Sequence, residues 1–388
     1  MYKRILTFMA ILALALGVTY MPSTASAESN VTSKKSATYL ITFKESVDNK
    51  VILKSKGKVL ETYDTLPMVK VELPESTVDN LKLENSVESV EEDEDIQISV
   101  QGEEVQPVVG TAGQTIPWGV KRIKAPYAHK QGIKGDNVSV AVIDTGIDMD
   151  HEDLQVAGGI SLLDYTTSYN DDNGHGTHIA GIIGALDNDR GVVGVAPDVD
   201  LYSVKALDNE GNGKYSTIIK GLDWAIENHI QIVSMSIGGT QESKAFQKAT
   251  RLAYNKGVLL VASAGNKGYF SDESVTIPAK YSSVISVGAL TKKNERWEFS
   301  SRGKGLDIMA PGAGILSTLS DGGYGEDSGS SMAAAYVTGL AALIMDKNPS
   351  LNNKQVRTIL EQNTEPLGNH KEYGKGLVNA RKELNSIN

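Results

Sequence analysis

The chain contains no cysteine, which excludes disulfides, thiolate nucleophiles and Cys-ligated zinc or iron. Any hydrolytic nucleophile must therefore be an oxygen or a metal-bound water. A basic excess is also missing: 38 Lys and Arg stand against 48 Asp and Glu, and a net charge of −10 argues against a nucleic-acid partner. Proline is scarce, at 11 residues against 38 glycines, and no internal repeat or low-complexity tract is present. Hydrophobic residues at 40% and charged ones at 22% are the balance of a folded soluble protein. A length of 388 residues leaves room for two or three domains. No apolar run reaches the ~20 residues needed to cross a bilayer. The longest, Ile5 to Val18, follows Lys3 and Arg4 and precedes Ala25-Ser26-Ala27, the pattern of an export signal ending at residue 27. The chain is expected to be secreted, with no membrane attachment once that segment is removed. A secreted protein without disulfides needs another source of stability, and bound calcium is one candidate.

From about Ser36 to Val100, strand-like runs (Tyr39 to Phe43, Met68 to Leu73, Glu88 to Val100) interleave with helical ones (Val47 to Ser55, Ser76 to Leu83), which reads as a small α+β domain. Its acidic run Glu91 to Asp95 is either a solvated surface or a binding feature. Val100 to Gln114 has no clear periodicity and reads as an exposed linker.

Beyond Trp118 the pattern changes. The runs 138–143, 201–204, 230–234, 258–262 and 284–287 are too short for helices and too uniformly apolar for half-exposed strands, so they read as central parallel strands. Helical patterns lie at His175 to Leu186, Tyr215 to Asn228, Lys244 to Asn255 and Ser331 to Asp346. The alternation predicts a three-layer, doubly wound α/β sheet, with its chemistry beyond the carboxyl ends of the strands.

Three segments carry candidate chemistry there. Asp144 ends the first strand in Val142-Ile143-Asp144-Thr145-Gly146. His175 lies in Asn173-Gly174-His175-Gly176-Thr177-His178, between two glycines. Ser331 stands in Ser328-Gly329-Ser330-Ser331-Met332-Ala333, a small-residue turn running into an apolar helix, whose amino terminus can receive an oxyanion. An acid, an imidazole and a hydroxyl on one α/β body make a nucleophilic triad the economical reading. A catalytic metal on His175 and His178, with Asp144, Asp171 or Asp172, is the competing one. It finds no His-Glu-x-x-His pattern and gives the Ser331 turn no purpose.

Those segments, in the order Asp, His, Ser, resemble the subtilisin family of secreted serine proteases, over the whole stretch from Ile116 to the C-terminus. The resemblance implies that Asp144 orients the imidazole, His175 relays the proton and Ser331 forms the acyl-enzyme, with Asn266 of Ala264-Gly265-Asn266 aiding the oxyanion. It implies an extended protein or peptide substrate bound as an added strand by Gly211-Asn212-Gly213 and Ser236-Ile237-Gly238. The first pocket would be walled by 236–239 and by Ser263, Ala264, Gly265 and Asn266, with Lys267 near its mouth, where its charge would make acidic or polar side chains better accepted than in a neutral pocket. It implies a structural calcium held by Gln114, Asp153, the Asn188 side chain and the carbonyls of Leu186, Arg190 and Val192. A weaker cation site would lie at Ala279, Tyr281 and Val284, near Asp307.

By the same resemblance the chain is a zymogen. Residues 1–27 are the signal, 28–105 a ferredoxin-like pro-segment that inhibits in cis and leaves by self-cleavage, with a junction between 100 and 113, and 106–388 a monomeric subtilisin-like catalytic domain. Three residues depart from the family pattern: Ser330 stands where Thr is usual, and Ala335 and Tyr336 where Pro and His are usual. These leave open an extracellular relative that binds peptides without cutting them.

Overall fold

The computed structural model describes residues 36–98, 106–107 and 113–387; the export signal expected at residues 1–27 lies outside them. Its centre is a seven-stranded parallel sheet in the spatial order 308–311, 285–290, 259–263, 232–235, 139–144, 200–205, 156–161. The strand Ser139–Asp144 is first in sequence and lies where the winding reverses, between Ile232–Met235 and Asp200–Lys205. Asp144 thus ends a strand at the switch point, where an α/β sheet opens its ligand crevice.

Alternation along this strand builds both halves of the interior. Val140 and Val142 enter the cluster that holds helices His175–Gly184 and Ser330–Lys347, while Ala141 and Ile143 enter the one under Tyr215–Glu227 and Lys244–Asn255. The helix Ser330–Lys347 is apolar on every side, and Ser330 to Met345 are all buried. Its start is therefore fixed rigidly against the sheet.

The five central strands and four long helices fall within a few residues of the ranges expected from the sequence. The two edge strands do not announce themselves: Val156–Ser161 contains Gly158 and Gly159 and is only half buried, and Ile308–Pro311 ends in proline. The hairpin of Ile315–Thr318 and Tyr324–Asp327 was likewise not legible.

Residues 36–92 form a four-stranded antiparallel sheet, ordered 58–62, 68–74, 36–43, 87–92, with helices Asn49–Lys54 and Val78–Lys82, a ferredoxin-like arrangement. Tyr39, Ile41 and Phe43 face these two helices, whereas Leu40 and Met68 join the core under the large helices. The described residues from Ser36 onward form one compact unit.

The acidic run resolves into specific roles. Glu91 accepts the N–H groups of Lys244 and Ala245 at 2.8 Å each, and Asp93 those of Ser216 N–H at 3.0 Å and its hydroxyl at 2.6 Å, so each carboxylate caps the start of a large helix. Expected as one strand, 88–100 breaks after Glu92. Its second part, Asp95–Ile98, pairs elsewhere.

Candidate active site

His175 opens its helix after Gly174, whose φ of 108° favours glycine. The imidazole Nδ1 lies 2.7 Å from Asp144 Oδ1. Burial opposes the imidazolium, but the Asp144 charge and hydrogen bond, backed by Asp327 and Asp171, outweigh it and hold the pKa above the ordinary histidine value. Beside it, burial pushes His178 down, so that ring stays neutral; its Nε2 lies 3.2 Å from the Gly325 carbonyl.

Asp171 ties the two loops together. One oxygen accepts Thr145 Oγ1 and the N–H groups of Asn173 and Gly174; the other accepts Thr177 N–H and hydroxyl. Asp172 pairs with buried Lys205 at 2.5 Å. Against the metal reading, both oxygens of Asp171, one oxygen of Asp172, His175 Nδ1 and His178 Nε2 are committed to protein partners. Among the described residues the one acidic triplet close enough to hold an ion is Asp64, Asp223 and Glu227. Asp223 there already accepts the N–H groups of Asp64 and Thr65.

The second half of the site forms around Ser330, Ser331 and Asn266. Asn266 Oδ1 accepts Ser330 N–H at 3.0 Å and Ser330 Oγ at 2.9 Å, and Ser330 Oγ accepts Gly265 N–H at 3.0 Å. The carboxamide is fixed by its oxygen, leaving Nδ2 beside Gly329. A Cβ on Gly329 would lie 3.3 Å from Asn266 Nδ2 and 3.7 Å from Ser331 N, so glycine keeps open a small space faced by two nitrogens. Two such donors at a helix start can hold a developing oxyanion.

The Ser331 hydroxyl donates to the Ser236 carbonyl at 3.4 Å, and His175 Nε2 has no hydrogen-bond partner among the described residues. The structure joins Asp144 to His175, Ser330 to Asn266 and Ser331 to Ser236, while the bond between Ser331 and His175 is not formed. Of the departures, Ser330 retains the hydroxyl that positions Asn266. Ala335 continues an unbroken helix, and Tyr336 packs its ring where any side chain on Gly119 would collide.

The groove contains part of the chain itself. Asp95–Ile98 lies antiparallel between Asn212–Lys214 and Ile237–Gly238, with Gln97 opposite both Asn212 and Gly238, Ile96 opposite Gly213 and Ile98 opposite Ile237. Ile98 N–H donates to the Gly211 carbonyl at 2.9 Å. Ile96 and Ile98 are buried among the residues under the large helices, beside Tyr215, Ile218 and Ile237. Lys267 shares a cleft of about 400 Å³ with Asp95, Gln97, Gly238 and Thr240. Ser263 ends the strand Leu259–Ser263, with its Oγ 3.4 Å from the Ile237 carbonyl, and Ala264 follows it.

The residues expected to hold calcium also converge. Gln114 Nε2 reaches the Leu186 and Val192 carbonyls at 2.6 and 3.4 Å, and Asn188 Nδ2 reaches Asp153 Oδ1 at 2.9 Å. Asn188 Oδ1 accepts Arg190 N–H at 3.1 Å, while Asp153 is fully buried and its charge is disfavoured by burial. A carboxylate, two carbonyls and two carboxamides so close together suit a hard cation. Turning both amides over would present two further oxygens to the same volume. At the expected weaker site, Ala279, Tyr281, Val284 and Asp307 line one cleft, where the Arg357 guanidinium lies 3.3 Å from Asp307 Oδ2.

A switch-point carboxylate, a paired imidazole and a helix-start serine beside a groove that accepts an added strand define the class of an α/β serine hydrolase acting on extended peptides. A model of the subtilase family, Peptidase_S8, matches residues 135–376. The chain is 43% identical to subtilisin E of Bacillus subtilis over 378 residues, covering 95% of this chain and 96% of that protein. It is 40% identical to the M-protease of Shouchella clausii over 384 residues, with the same two shares, and 49% identical to a subtilisin of Bacillus pumilus over 270 residues, covering 69% of this chain and 98% of that one. The chain belongs to the subtilase family and is a serine endopeptidase. No observation favours a groove that binds without cutting.

Proposed function

We propose that the protein is a secreted, self-processing zymogen whose mature body cuts proteins through Ser331, His175 and Asp144, with residues 36–98 as its own inhibitor. One observation carries this reading. A peptide strand is held in the groove one rung from Ser236, whose carbonyl receives the Ser331 hydroxyl.

Chemistry begins with rotation of Ser331 about χ1, from the Ser236 carbonyl to His175 Nε2. His175 takes the hydroxyl proton as Oγ attacks the scissile carbonyl, and Asp144 stabilises the imidazolium through Nδ1. The oxyanion enters the space beside Gly329, facing Asn266 Nδ2 and Ser331 N–H. His175 returns the proton to the leaving amine, and the acyl group stays on Ser331. Water, deprotonated by the same imidazole, then releases the acid and restores the serine. Main-chain pairing with 211–213 and 236–238 supplies affinity that is indifferent to sequence, which suits a broad range of unfolded proteins. Lys267 favours acidic side chains in the adjoining pocket.

The pro-segment reading draws on the capping of two helices by Glu91 and Asp93 and on the Asp95–Ile98 strand. The Bacillus pumilus relative, aligned over 98% of its own length to 270 residues of this chain, supports a separable body of that size. Gln114, Asp153, Asn188, Leu186, Arg190 and Val192 would hold a calcium ion that ties the chain's start to the loop 186–192 and stabilises the fold. The mature body acts as a monomer.

The test is the full chain carrying Ser331→Ala. Expressed in a host without other proteases, it is expected to remain uncut and inert toward unfolded protein, while the unaltered chain matures. Normal maturation of the variant would refute the assignment.

A further inference from the structure

We infer that the uncut chain closes its calcium cage before self-cleavage, so that cation binding precedes maturation rather than following it. The inference rests on the calcium reading above and concerns the order of events.

The grounds are the positions of the two ends of one segment at the same moment. At one end, Ile98 is pinned in the groove by its N–H to the Gly211 carbonyl at 2.9 Å and by its pairing with Ile237. At the other, Thr115 N–H donates to the Gly191 carbonyl at 2.7 Å, and Thr115 accepts from Val193 N–H at 3.1 Å. Gln114 reaches Leu186 and Val192 from there. Between the two, Gln106 and Pro107 pair with Glu326 and Gly325, a third fixed point on the way.

Residues 99–113 connect the two docks, and a chain of that length spans up to about 50 Å at ~3.3 Å per residue. The donors Gln114, Asp153, Leu186, Asn188 and Val192 are therefore assembled while the peptide between groove and cage is intact. A ligand that binds the folded precursor and not the unfolded chain stabilises the precursor by mass action. Calcium then supports folding of the zymogen itself, and its level sets how much precursor reaches the state that can cut.

The experiment is calcium titration by calorimetry, with thermal unfolding followed in parallel, on uncut full chain carrying Ser331→Ala and on the mature unaltered protein. His175→Ala provides a second uncut chain should the first fold poorly. Affinity in the uncut chain is expected within about threefold of the mature value. Adding Gln114→Ala is expected to weaken it at least tenfold, which places the ion in this cage and not at the weaker site. An uncut chain that binds at least a hundredfold more weakly than the mature one would overturn the order while leaving the calcium site itself intact. If the mature protein binds no calcium either, the site reading falls and takes the inference with it.

Discussion

Lys248 offers a test of how the proposed pro-segment is retained. It sits on the helix Lys244–Asn255, and its Nζ is buried against the pro-segment, donating to the Phe43 carbonyl at 2.6 Å, the Lys44 carbonyl at 3.1 Å and the Glu88 carboxylate. Lys248→Met keeps the apolar stem and removes the charge. The Phe43 carbonyl then loses a charged donor, a loss of about 1.5–3 kcal/mol for such a bond. The Glu88 side chain is 37% exposed and partly recovers water, so its share is discounted. A net weakening of about 2–3 kcal/mol corresponds to roughly 30- to 150-fold faster loss of the segment. The assay lets the full chain cut itself, dilutes the product and follows the onset of hydrolysis of a small chromogenic peptide, which marks departure of the segment. The onset is expected to accelerate by at least that lower factor, with kcat and KM of the free enzyme unchanged. Lys244→Met, an exposed position on the same helix, is the control and should leave the onset alone. Release of the Lys248→Met segment at the unaltered rate would refute the buried clasp.

Gly329→Ala meets no backbone penalty, because φ at this position is 169°, which any residue adopts. Its methyl fills the oxyanion space, so kcat should fall by about 10- to 100-fold with KM little changed, as steady-state kinetics will show. Asn266→Leu is expected to cost about 10²- to 10³-fold in kcat, the loss established for this donor in subtilisin. Because the base must be neutral to act and the His175 pKa is raised, kcat/KM should climb with pH through a midpoint above 6.5. Asp144→Asn removes the strongest raising cause and leaves burial, so the midpoint should drop as kcat falls by about 10⁴-fold, the loss known for the same change in the chymotrypsin-type triad. Chelation of calcium should lower the melting temperature while leaving the initial rate of the still-folded enzyme unchanged; an immediate loss of rate would implicate the metal in catalysis.

The central strands and the Asp144–His175 pair were legible because each is a local pattern: unbroken apolar runs, and polar residues where those runs stop. Asp144 is visible as the end of Val138 to Ile143, and Ser331 as the small-residue lip of an all-apolar helix. The edge strand Val156–Ser161 was hidden because an edge need not be apolar, and its glycines read as a turn. Asp171 was hidden for a different reason. Its five donors come from four other residues, so beside Asp172 it looked like one more candidate ligand. The division of Glu91 to Asp95 into two helix caps and the first rung of the groove strand is tertiary information of the same kind. No local signal separates a solvated acidic run from one aimed at helix starts more than a hundred residues away.

The most direct test of the chemistry is to mix the mature enzyme with an activated ester, quench in acid within milliseconds and map the acyl group by peptide mass spectrometry. One acyl group per chain on Ser331 is expected, with none detectable in His175→Ala over the same interval. Turnover of the ester with Ser331 unmodified, or an acyl group on another residue, would contradict it.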